Sequence, residues 1–165
     1  MKLRILIADD HEVVRRGLCT LLQTREGWEV CGEAKDGREA VEKAKQVRPD
    51  VVILDVGMPN LNGLAATRQL IQQNPQQKVI VLTITDSDQV IREALDAGAR
   101  GFVLKSDAAR DPISAVEALQ RSHMFLCSFS AGFFCSSKLS VRKTRANPVE
   151  AVVELPRVCS DMGQR

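Results

Sequence analysis

Short apolar runs alternate with amphipathic segments along residues 1–122. The runs are Leu3–Ala8, Trp28–Cys31, Val51–Leu54, Val79–Ile84 and Phe102–Leu104. All are rich in Val, Ile and Leu, and three show no polar alternation, the pattern of strands buried on both faces. Between them the apolar positions recur at helical spacing. Val13, Val14, Leu18, Leu21 and Leu22 predict a first helix, and Ala40, Val41, Ala44 and Val47 a second. Leu64, Thr67, Leu70 and Ile71 predict a third, Val90, Ile91, Ala94, Leu95 and Ala97 a fourth, and Ile113, Val116, Ala118 and Leu119 a fifth. Gly27, Gly37, Gly63, Gly98 and Gly101 punctuate the element ends.

Five β-α repeats imply an α/β fold with helices on both faces of a parallel sheet. The size and the right-handed crossover rule favour a flavodoxin-like, doubly wound five-stranded sheet in the order 2-1-3-4-5. A six-stranded dinucleotide-binding sheet needs more chain. It also needs G-x-G-x-x-G after the first strand, where this sequence has A-D-D-H-E-V. Residues 123–165 break the pattern. Met124–Phe134 is apolar, with Phe125, Phe129 and Phe133 at helical spacing, and the basic stretch KLSVRKTR follows. These residues are expected to form an atypical, partly disordered tail without a recognisable DNA-binding domain. Phe125 and Phe129 are expected to pack near the fifth helix.

Composition narrows the class. The chain of 165 residues is 44% hydrophobic and 27% charged, with a net charge of +2, ordinary values for a globular protein. Residues 122–165 hold six Lys/Arg against three Asp/Glu. That small basic surplus is the only electrostatic pointer to a polyanion. Five cysteines without a C-x-x-C pair argue for reduced thiols and a cytoplasmic location. The opening MKLRILIADD is too short for the apolar core of a secretory leader. No run reaches the roughly 18–20 apolar residues that span a bilayer, so no membrane partner is expected.

In an open parallel sheet, ligands bind beyond the C-terminal strand ends where strand order reverses. There the first strand ends in Asp9 and Asp10, the third in Asp55, the fourth reaches Thr83, and the fifth ends in Lys105. Clustered carboxylates repel one another and call for a cation. Hard oxygen ligands suit Mg2+, which draws in phosphate oxygens. A carboxylate beside it can act as nucleophile and form an aspartyl phosphate, with Thr83 and Lys105 donating to the phosphoryl oxygens. Each residue alone has a plainer reading. Asp10 can be a helix N-cap, Asp55 a turn residue, Thr83 a strand residue, and Lys105 and His11 surface residues. Their coincidence at equivalent strand ends points to one shared site.

The segments ILIADDHEVVRRGL, PDVVILDVGMPNLNG, VIVLTITD and AGARGFVLKSD resemble the response-regulator receiver domain of bacterial two-component signalling, with its CheY-like fold. DDHEVVRRGL and GARGFVLKSD are closest to the NarL/FixJ (LuxR-type) subfamily. The resemblance implies that Asp55 accepts a phosphoryl group from a sensor histidine kinase. It implies that Asp10 ligates Mg2+ directly, that Asp9 assists, and that the Gly57 backbone carbonyl completes the protein ligands. Thr83 and Phe102 resemble the pair that rearranges on phosphorylation, and homodimerisation on phosphorylation is a further expectation. Two departures stand out. Ser106 follows Lys105 where many receivers have a cis proline. The C-terminal helix-turn-helix of the subfamily is also missing, a pattern that a truncated or frame-shifted reading frame would produce.

Three functions follow in order. The first is a phospho-accepting switch rather than an enzyme with turnover. The second is a NarL/FixJ-type DNA-binding transcriptional regulator acting through the C-terminal part. The third is a haloacid-dehalogenase-type phosphatase, whose D-x-D motif needs a second Asp where this chain has Gly57.

Overall fold

The computed structural model describes residues 2–85, 87–108, 111–121, 123–127, 141–143 and 150–153. Five β-α units run in succession. They are β1 (Leu3–Ala8), α1 (Glu12–Gln23), β2 (Trp28–Ala34), α2 (Gly37–Val47), β3 (Val51–Asp55), α3 (Gly63–Gln73), β4 (Lys78–Thr83), α4 (Asp88–Asp96), β5 (Gly101–Leu104) and α5 (Asp111–Gln120). A 3-10 turn, Lys105–Asp107, follows β5. Strands β1 to β5 pair in the order 2-1-3-4-5, all parallel, as the repeat pattern predicts.

The alternation of side chains along the strands builds two cores. Leu6, Ala8, Val52, Leu54, Val79, Val81 and Phe102 pack on one face, with α2, α3 and α4. Ile5, Ile7, Val51, Ile53, Ile80, Leu82 and Val103 pack on the other, with α1 and α5. Every residue of β3 is buried, which is why its sequence shows no polar alternation before Asp55.

The sheet does not stop at five strands. Met124–Cys127 forms β6, parallel to β5, and β7 (Val141–Lys143) and β8 (Glu150–Val153) extend the sheet antiparallel, giving the order 2-1-3-4-5-6-8-7. A bare β5 edge would present unpaired main-chain groups, and the apolar segment after α5 covers it. Phe125 donates its N–H to the Arg100 carbonyl at 2.9 Å, and its ring is buried with Val116 and Leu119 of α5. Phe125 therefore packs at the fifth helix as expected, but from a strand rather than a helix. Phe129 and Phe133 lie outside the described residues.

Two apolar positions depart from the sequence reading. Val13, assigned to the α1 stripe, is 85% exposed, and Ile84, assigned to the fourth strand, is 86% exposed. The buried stripe of α1 is carried by Leu18 and Leu22 with Val14 beside them. Among the described residues no helix is long and apolar enough to cross a membrane, and Cys19 and Cys31 are free thiols. Burial pushes the Cys19 thiol up to about 11, far from a reactive thiolate.

Candidate functional site

Parallel register brings the strand-end residues side by side. Ala8 pairs with Leu54, Asp55 with Leu82, and Thr83 with Leu104. The residues just beyond these pairs therefore meet at one edge of the sheet. Asp9 is fully buried, Asp55 is 3% exposed and Thr83 is also buried. Burying carboxylates in this way is unfavourable unless they are paired.

Lys105 supplies the pairing. Its Nζ stands 2.8 Å from Asp55 Oδ2 and 2.9 Å from Asp9 Oδ2. The Lys105 ammonium is the partner the structure gives the buried Asp9 Oδ2. Asp9 Oδ1 accepts from the His11 N–H at 2.8 Å, and the Asp9 carbonyl accepts from Arg15 Nη1 at 2.8 Å. Burial raises the Asp55 carboxyl above its ordinary value and the charge of Asp9 adds to this, against the Lys105 and Gly57 hydrogen bonds. Burial opposes the Lys105 charge, yet its hydrogen bonds to Asp55 and Asp9 outweigh that and raise it.

Asp10 is not the N-cap of α1. The cap is His11, whose side chain caps no N–H. Asp10 is thus free of the plainer role that the sequence left open for it. Its carboxylate faces the His11 ring instead, 2.9 Å from Nδ1. Gly57 follows β3, and a Cβ placed on it would stand 3.7 Å from Asp55 Oδ2, so its backbone lies against the carboxylate. Thr83 Oγ1 accepts from the Thr85 N–H at 3.2 Å. Phe102 is 1% exposed, paired with Val81 across the sheet and buried in the core that also holds Ile91. The bond between Lys105 and Ser106 is trans, as are the peptide bonds of the described residues generally.

The donor set fits a divalent cation. Donor atoms of Asp9, Asp10, His11 and Asp55 all lie within 4.8 Å of one another. Three carboxylates face the single Lys105 ammonium, a surplus of two negative charges among these four groups.

Three features of the site escaped the sequence. His11 belongs to the acidic cluster, and its place directly after the acidic pair was the available signal. Arg15 ties α1 to the β1 end, with its Nε also 3.0 Å from Glu33. Gly63 permits α3 to start against β3, for a Cβ there would stand 2.1 Å from the Asp55 carbonyl oxygen. Sequence marked Gly63 only as punctuation.

A family model, the response regulator receiver domain, matches residues 5–117. The chain belongs to that family. It is 40% identical over 124 residues to the transcriptional regulatory protein LnrK of Bacillus subtilis, an alignment covering 75% of this chain and 56% of LnrK. Among solved structures, a LuxR-family two-component response regulator from Aurantimonas superposes with a TM-score of 0.70 at 33% identity, covering 74% of this chain and 87% of that one. The isolated receiver domain of RcsB from Salmonella enterica, determined with the phosphomimetic BeF3-, does so with a TM-score of 0.68 at 29% identity, covering 73% and 90%. The chain spans about half the length of the curated relatives it matches. Gly57 stands where the haloacid-dehalogenase-type D-x-D motif needs its second carboxylate.

Proposed function

We propose that this chain is the phosphoryl-accepting switch of a two-component pathway, with Asp55 as the acceptor and a sensor histidine kinase as the donor. The observation that carries the reading is Lys105 held between Asp55 and Asp9 at adjoining strand ends. An Asp55 carboxylate oxygen attacks the phosphorus of a phosphohistidine. The P–O bond forms, the P–N bond breaks, and the leaving imidazole takes up a proton. Asp9, Asp10, Asp55 and the Gly57 carbonyl would hold Mg2+, which when bound draws charge from the phosphoryl oxygens. Asp55 is nucleophilic in its ionised form, which Lys105 favours. As the new phosphate oxygens develop charge, Lys105 and the Thr83 hydroxyl donate to them. The Thr83 hydroxyl accepts from the Thr85 N–H, keeps its own proton to donate, and turns toward the phosphoryl group. That movement, transmitted to the Phe102 packing, is the conformational output, a shift between two packings of one core.

The reading assigns no multiple-turnover catalysis to the chain, only phosphorylation from donors and later hydrolysis of the aspartyl phosphate. A cytoplasmic location and homodimerisation on phosphorylation complete it. The RcsB receiver, similar in fold, takes a phosphomimetic, which supports acceptance here. LnrK is a transcriptional regulator, but DNA binding is not assigned to this chain. KLSVRKTR falls largely outside the described residues, and after α5 those residues include strands and no helix. The test is intact-mass measurement of the full chain with acetyl phosphate. A gain of one phosphoryl group should appear with Mg2+, vanish with chelator, and vanish in Asp55→Asn. A gain independent of Mg2+ would refute the reading.

A further inference from the structure

Arg15 lies in the first turns of α1, charged yet only 17% exposed, and its guanidinium spans two strands. Nη1 donates to the Asp9 carbonyl at 2.8 Å, and Nε donates to Glu33 Oε2 at 3.0 Å. Asp9 stands just past the end of β1, and Glu33 belongs to the edge strand β2. The Asp9 N–H continues the strand pairing by donating to the Ala34 carbonyl at 3.1 Å. Asp9 is fully buried, so its carbonyl needs a donor from within the protein, and Arg15 supplies one. Arg15 is itself anchored, since its own backbone N–H donates to the His11 carbonyl at 3.0 Å.

The Asp9 carbonyl and the Asp10 N–H belong to one planar peptide unit. Fixing that carbonyl fixes the direction in which the chain enters Asp10. Donor oxygens of Asp10 and Asp55 lie within 4.8 Å of each other, a spacing set by how that peptide leaves β1. We propose that Arg15 is a positioning residue for phosphoryl acceptance. It holds the Asp9–Asp10 peptide so that the Asp10 carboxylate faces Asp55, and Glu33 holds Arg15. This role presupposes Asp55 as the acceptor in a Mg2+-dependent phosphorylation.

Geometry and charge both support it. A planar guanidinium presents separate N–H groups in fixed directions, where an ammonium is a point charge. Here those groups meet a carbonyl at one strand end and a carboxylate on the next strand. A lone cation beside three carboxylates would compete with a dication for their field. Glu33, paired with Arg15 at 3.0 Å, neutralises it, so the clamp adds no net charge to the pocket. Lys43 of α2 donates to the Glu33 carbonyl, and the clamp thereby joins α1, β1, β2 and α2. The sign of the effect separates the two roles. Deleting a positive charge beside the carboxylates strengthens cation binding if Arg15 acts by charge alone. Deleting a positioning contact weakens it.

The test compares the full chain with its Arg15→Ala and Glu33→Ala variants. Calorimetric titration of metal-free protein with Mg2+ should show affinity at least about tenfold lower in Arg15→Ala, the size of effect that contacts behind a ligand have. The Mg2+ concentration for half-maximal phosphorylation from acetyl phosphate should rise by the same factor. The acetyl phosphate concentration for half-maximal rate at saturating Mg2+ should stay as in the wild type. The Glu33 side chain is 47% exposed, so Glu33→Ala should fold like the wild type by circular dichroism. It should also lower Mg2+ affinity, because Arg15 is then loose and its charge uncompensated. Mg2+ affinity equal to or above wild type in folded Arg15→Ala would overturn the role, even with a lower Tm. If Arg15→Ala does not fold, unchanged Mg2+ affinity in Glu33→Ala would overturn it. If the wild type takes up no phosphoryl group, or takes one up without Mg2+, the presupposed function fails. If the wild type is phosphorylated with Mg2+ and Arg15→Ala binds Mg2+ as tightly, only the role of Arg15 fails.

Discussion

Replacing Asp55 by asparagine should stabilise the metal-free protein, although it removes an ion pair. Asp55 faces the donor oxygens of Asp9 and Asp10 at 4.8 Å or less and the Lys105 ammonium at 2.8 Å. At an effective dielectric constant of about 20, the buried Asp9 repels Asp55 by about 3.5 kcal/mol or more and the solvent-screened Asp10 by less, while Lys105 attracts it by about 6 kcal/mol. The two repulsions offset most of the attraction, and desolvation of a residue 3% exposed tips the balance against the charged form. Lys105 keeps Asp9 as a partner in the variant. The expected gain is about 1–2 kcal/mol, or about 3–8 °C in Tm for a core of this size. The pH dependence has a definite sign. The folded-state Asp55 carboxyl lies above its ordinary value, so the folded state holds a proton that the unfolded chain has released. Its contribution is therefore lost as pH rises from the ordinary carboxylate range through the raised value, and Asp55→Asn should remove that slope. The assay is urea unfolding in chelator across acidic and neutral pH. Added Mg2+ should then stabilise the wild type by mass action and narrow the gap. An Asp55→Asn variant less stable than wild type by 1 kcal/mol or more in chelator would show that the Lys105 pairing outweighs the repulsion.

Asp10→Ala should weaken Mg2+ binding and slow phosphorylation while leaving metal-free stability equal or higher, because Asp10 caps no helix; a large drop in Tm on calorimetry would refute this. Gly63→Ala should destabilise the chain by about 1–3 kcal/mol or more, because the new methyl would stand 2.1 Å from the Asp55 carbonyl oxygen; denaturant midpoints will tell. Phe125→Ala should cost about 3–5 kcal/mol because the ring is 1% exposed, whereas ending the chain after residue 127 should preserve the fold by circular dichroism. A phosphoryl mimic should shift the NMR resonances of Thr83, Phe102 and α4 residues Val90 and Ile91 together; unchanged Phe102 resonances would count against the switch.

The central sheet was legible because its strands are buried on both faces. Val51–Leu54 and Val79–Leu82 have no solvent side to advertise, and their end residues fall where the topology needs them. Thr83 and Lys105 meet Asp9 and Asp55 at one edge through register alone, so the five-unit repeat was sufficient to group them. What was hidden depended on local geometry. Val13 sits at helical spacing yet faces solvent, while Val14, Leu18, Cys19 and Leu22 carry the inward face of α1. Phe125 lies in a run whose aromatic spacing suggests a helix, but the unpaired β5 edge draws Met124–Cys127 into a strand. The role of Gly63 depends on a contact with a backbone oxygen eight positions earlier in the chain, which no pattern encodes. His11 looked like a surface residue until its ring was found against Asp10.

The most direct test of the account is to locate the phosphoryl group. The full chain, phosphorylated from acetyl phosphate with Mg2+, would be reduced with borohydride and digested. An aspartyl phosphate is thereby converted to homoserine, which tandem mass spectrometry places in the sequence. Homoserine is expected at position 55 and at no other aspartate. Homoserine at Asp9 or Asp10, or label surviving in Asp55→Asn, would contradict it.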